Sequence, residues 1–198
     1  MMIPTGGQGE RLSVPYGGFV GDYQALEVFG NVTMTVDGKE VVKPFPALYD
    51  ALEDRIYFRD EPVEKLPSFS FLAYPRVIGN RSLEIMDYPT VWVNFAHQAQ
   101  RVVFEAVDEK DVAHEITTQY YVGRTGKSVY TPGSSSQPWA SYVWDGKYKD
   151  GSDAPAGKYV LRVRVLKALG DESIQSHSEV YVSQPFMVER GKTSIDLD

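Results

Sequence analysis

Three aspartates stand close together in WDGKYKDGSDAPAG, at Asp145, Asp150 and Asp153. Acids on a tight, turn-rich loop are what a hard cation requires, because calcium or magnesium gathers several carboxylate and carbonyl oxygens at once. Their spacings of five and three do not reproduce an EF-hand loop, and no glutamate follows where its bidentate ligand would stand. Turns in which each Asp side chain accepts from a backbone amide two residues on account for the same residues. His97, His114 and His177 are too widely spaced for a helical metal pair, and neither HExxH nor HxH occurs. Cysteine is absent, which removes thiolate zinc sites and disulfides. No cofactor pattern is found.

Other chemistries fare similarly. Nucleophilic catalysis needs a serine, a base and an orienting carboxylate together, and no GxSxG elbow marks one. The acid pairs Glu53-Asp54 and Asp108-Glu109 sit in polar turns, where solvation is the simplest reading. Gly17, Gly18 and Gly21 of LSVPYGGFVGDYQ lack the dinucleotide spacing, and Gly126-Lys127-Ser128 has no glycine five residues before it. Tyr120, Tyr121, Tyr130, Trp139 and Tyr142 form an aromatic group that could stack on a sugar, with Trp139 and Tyr142 as the ligand-stacking candidates. Core or sheet-face packing explains aromatics in a β protein equally.

Charge narrows the partners. Twenty basic against 27 acidic residues leave a net charge of −7, which argues against nucleic acid, since phosphate binding needs clustered Lys and Arg. The densest basic run, RVRVLK, alternates, so Arg162 and Arg164 read as one solvated sheet face. No apolar run approaches the ~18 residues of a membrane span. Two of only three asparagines, Asn31 and Asn80, begin Asn-x-Ser/Thr acceptor motifs. That points to secretion and glycosylation.

The elements that must position these residues are short strands. KYVLRVRVLKA, 158–168, places Tyr159, Leu161, Val163 and Val165 on one face. VWVNFAH, 91–97, does the same with Val91, Val93 and Phe95, and RVVFEAV, 101–107, follows after three polar residues, which reads as a hairpin. ASYVWDG ends a strand at Trp144, SEVYVS offers Val180 and Val182, and QPFMVER offers Phe186 and Val188, with Pro185 as a break. Helical spacing of Leu48, Ala51, Leu52 and Arg55 in FPALYDALEDRIYF suggests one short helix. Residues 12–16 read as a strand ending in glycines that permit a bend or bulge. Such a pattern predicts an all-β antiparallel sandwich of the immunoglobulin or fibronectin type III kind, with a less regular N-terminal arm. The expected division is an arm of hairpin and irregular segment over 1–82, the sandwich over 83–190 and a polar tail over 191–198.

Three stretches carry a further signal: LSVPYGGFVGDY, DYPTVWVNFAHQAQRVVFEAVD and WDGKYKDGSDAPAGKYVLRVRVLKALGD. Together they resemble the non-catalytic, fibronectin type III-like C-terminal region of secreted subtilisin-like serine proteases, especially fungal extracellular ones, over most of 12–190. The family's Asp-Ser/Thr-Gly, His-Gly-Thr-His and Gly-Thr-Ser-Met-Ala motifs have no counterpart here, so the resemblance brings no catalytic residue. It implies strands upstream of LSVPY, and hence a piece of a longer protease. It also implies an extracellular accessory module that braces a subtilase catalytic domain or influences substrate access. The other reading is an independent module that binds carbohydrate or protein.

Overall fold

The computed structural model describes residues 21–78 and 80–190. Among the described residues fourteen strands run in chain order: β1 (Asn31–Val36), β2 (Lys39–Pro44), β3 (Ala47–Asp50), β4 (Arg55–Tyr57), β5 (Ser68–Phe69), β6 (Ala73–Ile78) and β7 (Arg81–Met86), then β8 (Thr90–Val93), β9 (Ala99–Asp108), β10 (Ala113–Val122), β11 (Ala140–Val143), β12 (Gly157–Lys167), β13 (Ser178–Val182) and β14 (Phe186–Val188). Helix among the described residues is limited to two short 3₁₀ turns, Tyr23–Ala25 and Gln175–His177.

The alternation of β12 organises the larger sheet. Tyr159, Leu161, Val163 and Val165 point inward and are buried, each worth about 1.5 to 3 kcal/mol when removed from water. β12 pairs with β9 on one edge, and β9 with β10. On its other edge β13 takes Arg162–Leu166 and β14 takes Gly157–Tyr159, so the break at Pro185 divides two strands that share one neighbour. β5 closes this sheet in parallel against β14. A second sheet, in the order β11-β8-β3-β4, faces it. Leu48, Val91, Val93 and Tyr142 from the smaller sheet meet Phe104, Leu161, Val163, Tyr181 and Phe186 from the larger in one core. The chain is thus an all-β, mostly antiparallel sandwich.

The smaller sheet is covered on its outer side too. Ala47 and Trp92, on the face opposite Leu48 and Val91, pack with Val32, Phe45, Phe58 and Trp139 in a second cluster. The β1–β2 hairpin contributes Val32 and is tied to the segment before Trp139: the Thr33 amide donates to the Ser128 carbonyl at 2.8 Å, and the Tyr130 amide to the Thr33 carbonyl at 2.9 Å. Buried Asn94 anchors the same segment by donating to the carbonyls of Lys127 and Pro138. The β6–β7 hairpin is a separate two-stranded ribbon.

Four expectations change. The helix proposed over FPALYDALEDRIYF is the β3–β4 hairpin, because Leu48 pairs with both Tyr57 and Val91, and Asp50 closes the turn by accepting from the Leu52 and Glu53 amides. The strands at 91 and 101 are not a hairpin: β8 pairs with β3 and β11, β9 with β10 and β12, and the chain crosses between sheets. Tyr181, opposite Val163, is the inward residue of β13, which leaves Val180 and Val182 outside. The division at residue 82 does not follow the pairing, since β3 and β5 bond to β8 and β14 beyond it. The strand over 12–16 and the tail over 191–198 lie outside the described residues.

Candidate functional site

Two of the three aspartates of the 145–153 loop hold turns, and the third pairs with cationic side chains. Asp145 accepts from the Lys147 amide at 3.0 Å, and Asp150 from the Ser152 amide and hydroxyl at 2.9 and 2.6 Å. Asp153 lies 3.2 Å from Lys147 Nζ and 3.4 Å from an Arg190 guanidinium nitrogen. The Ser152 hydroxyl holds the Asp150 carboxyl below its usual range, and hydrogen bonding with Lys147 does the same for Asp153. No group of three or more His, Asp or Glu able to hold a metal ion occurs among the described residues. Around these turns the loop is fastened to the core: Trp144 Nε1 donates to the Lys147 carbonyl at 2.8 Å, and Arg190 donates to the carbonyls of Ala154 and Gly146.

The two stacking candidates part company. Tyr142 is only 5% exposed, packs edge-on against Phe104 and donates its hydroxyl to Gln119 at 3.0 Å, so it is a core residue and offers no ring face to a ligand. The sequence order ASYV did not reveal which of its residues turn inward. Trp139 is half-buried on the outer side of the smaller sheet. Its ring stacks on Trp92 at 4.2 Å and lies parallel to Phe45 at 5.7 Å, while Tyr49 stacks on Trp92 at 3.8 Å. The ring faces meet one another. Of the histidines, His114 stacks on Tyr148, His177 accepts from the Asp171 amide, and His97 meets Tyr23 edge-on.

Two carboxylates are buried near the β3–β4 turn. Asp50 is 3% exposed, and burial pushes its carboxyl up to about 6 against the lowering effect of the Leu52 and Glu53 amides. Burial also raises Asp87, which accepts from the Ser70 amide at 2.8 Å and the Ser70 hydroxyl at 2.6 Å. Ser70 contacts Tyr74 as well, but no histidine hydrogen bonds to it among the described residues. These are a closed turn at Asp50 and a link between two segments at Asp87, not a nucleophile with its base.

A concavity lies at the other end of β12. A cleft of about 550 Å³ is lined by Glu27, Phe29, Asn31, Phe45, Arg59 and Tyr181, among others. At its inner wall Lys167, 7% exposed, donates to the Gln24 carbonyl at 2.8 Å and lies 3.4 Å from Glu179. Glu179 accepts from the Val28 and Phe29 amides at 2.7 and 3.0 Å, which clamps residues 24–29 onto the sandwich. Tyr181 is 2% exposed, and burial raises its hydroxyl against the lowering effect of Arg59 and of the Leu48 backbone. Gln24 Oε1 is buried without a hydrogen-bond partner among the described residues. The sequence reading passed over this group, yet a signal was present: Lys167 continues the inward phase of Tyr159, Leu161, Val163 and Val165, and Glu179 shares the inward phase of Tyr181.

The glycosylation candidates occupy different settings. Asn80 stands exposed in the turn between β6 and β7, whereas Asn31, also exposed, begins β1 on the rim of the cleft. No helix among the described residues is long and apolar enough to cross a membrane. No family model matches the chain, and no curated protein matches it.

Proposed function

We propose that this chain is a non-catalytic, fibronectin type III-like accessory sandwich of a secreted subtilisin-like serine protease, bracing the catalytic domain or influencing substrate access. One observation carries the reading. The stretch WDGKYKDGSDAPAGKYVLRVRVLKALGD, which bears the resemblance, supplies fully buried Trp144, the fastened loop after it and β12, the strand to which β9, β13 and β14 all pair. Its distinctive residues serve architecture: Asp145 and Asp150 hold turns, Asp153 pairs with Lys147 and Arg190, and Tyr159, Leu161, Val163 and Val165 fill the core. That is what a bracing module requires. The reading as an independent sugar-stacking module draws no support from Tyr142, which is core, or from Trp139, whose faces meet Trp92 and Phe45.

The test is to read the coding sequence on either side of the chain and express any subtilisin-like catalytic domain found there with and without this module. Expected are a rise of several degrees in the melting temperature of the catalytic domain and a several-fold change in kcat/KM on a folded protein substrate, with a short peptide substrate little affected. Absence of such a domain, or indifference of both quantities to the module, overturns the reading.

A further inference from the structure

We propose that the cleft beside Asn31 is the seat of an N-linked glycan carried by Asn31 itself. This rests on the secreted reading and goes beyond it, by assigning a ligand of definite chemistry to a definite place. In β1 the Val32 side chain enters the second core cluster, which turns its neighbour Asn31 to the opposite side, onto the cleft rim and opposite Pro44 in the β2 ladder. A sugar attached to Asn31 therefore begins at the mouth of a cavity of about 550 Å³, a size within the usual range for small-molecule sites.

The lining suits a neutral sugar. Phe29 and exposed Pro44 offer the apolar surface on which the C–H faces and acetamide methyls of N-acetylhexosamines pack. Glu27 and Asp60, both exposed, present carboxylates that accept from hydroxyls, and exposed Arg59 presents a donor fork. Arg59 makes no side-chain hydrogen bond or ion pair among the described residues, which leaves its guanidinium open to a ligand. Mixed charge of both signs with an apolar strip does not select an anion or a cation. It does match a ligand made of hydroxyls, amides and C–H faces. Such a glycan bridges residues 27–31 to Arg59 and Asp60, and it covers the Lys167–Glu179 clamp from outside.

Asn80 is the internal control, because it stands exposed in the β6–β7 turn and does not line this cleft. The chain is expressed in a glycosylating host, and both sites are followed by glycopeptide mass during digestion of the folded protein with an endoglycosidase that cleaves between the two core sugars. Expected is occupancy at both, with the Asn31 glycan trimmed at least tenfold more slowly than the Asn80 glycan and the two rates equal after denaturation. Arg59→Ala, an exposed substitution, is expected to bring the Asn31 rate toward that of Asn80. Equal rates in the folded protein, an occupied Asn80 beside a bare Asn31, or an Arg59→Ala variant with unchanged protection each overturn the seat. Two bare sites overturn the secreted reading, and the seat with it.

Discussion

Lys167 and Glu179 approach to 3.4 Å at the end of the larger sheet, and each also holds the chain that precedes β1: Lys167 through the Gln24 carbonyl, Glu179 through the amides of Val28 and Phe29. Both side chains are largely buried. Breaking a buried pair leaves the remaining charge uncompensated, which costs about 3 to 5 kcal/mol. Glu179→Ala is therefore expected to destabilise by about 3 kcal/mol in urea unfolding, with loss of hydrogen-exchange protection at Val28 and Phe29 before the core amides exchange. Glu179→Gln keeps one acceptor and is expected to lose less. Equal effects of the two variants would show that the clamp works through packing rather than through its charge.

Asp50 gives a pH dependence of definite sign. Its carboxyl rises from 3.8 to about 6 on folding because burial disfavours the anion. Its contribution is thus fully present below about pH 3.8 and is lost as pH rises through about 6, a change on the order of 3 kcal/mol. Asp50→Asn keeps an oxygen for the Leu52 and Glu53 amides without the buried charge. Relative to the parent, the variant should gain stability progressively between pH 4 and 6.5 and hold that gain above. Parallel profiles for the two proteins would show that Asp50 does not carry the penalty. The same sign holds for Asp87, so a residual decline is expected in the variant.

What the sequence made legible, and what it hid, follows from period and pairing. Alternation in 158–168 identified the inward residues of β12, because a strand's faces are read directly from its period of two. Pairing is not encoded that way: Val91 and Val93 enter the same core as Phe104 and Ala106 from the opposing sheet, so a crossover and a hairpin look alike along the chain. FPALYDALED misled for a related reason. Ala51–Asp54 is a genuine turn, with Asp54 at φ 51°, and its local spacing imitates a helix while Leu48 and Tyr57 pair across it. The Asx turns of the aspartate loop were readable from Asp, Gly and Ser alone. The cleft was not, because Glu27 and Asn31, Arg59, and Tyr181 come from three separate regions of the chain.

Two glycines in one loop should respond differently. Gly146 and Gly151 have φ of 81° and 84°, a region that costs an L-residue about 1 to 2 kcal/mol. A Cβ on Gly151 meets nothing within 4 Å, but on Gly146 it would stand 2.6 Å from the Phe71 ring and 2.8 Å from Arg190 Nη2. Phe71 is held edge-on against Trp144 at 5.3 Å, and Arg190 donates to the Gly146 carbonyl. Gly151→Ala is expected to lower the melting temperature by about 3 °C. Gly146→Ala is expected to lower it by roughly 10 °C, since the ring and the guanidinium must both move. Equal shifts in thermal unfolding would mean that the loop yields at Gly146 without disturbing Trp144.

Glu105 supplies the opposite pH sign on the outer face of the larger sheet. Burial pushes its carboxyl up, but hydrogen bonds from Arg164 and Arg162 outweigh that and hold it below its ordinary value of 4.5. Arg162 Nε donates at 2.8 Å, and Arg164 donates through Nε and Nη2 at 2.9 and 2.8 Å. The stabilisation is present above about pH 4.5 and is lost as pH falls through the lowered folded value. Hydrogen bonds to charged groups contribute about 1.5 to 3 kcal/mol, and the solvent-open Arg164 places this one at the low end. Glu105→Gln is expected to cost about 2 kcal/mol at pH 7 and progressively less below pH 4, so that its acid limb of unfolding is shallower than the parent's. A penalty that stays constant from pH 7 to 3 would assign the effect to amide geometry and not to the carboxylate. Because Glu105 and Asp50 act on separate faces and do not share partners, the two variants combined should give additive changes at pH 7.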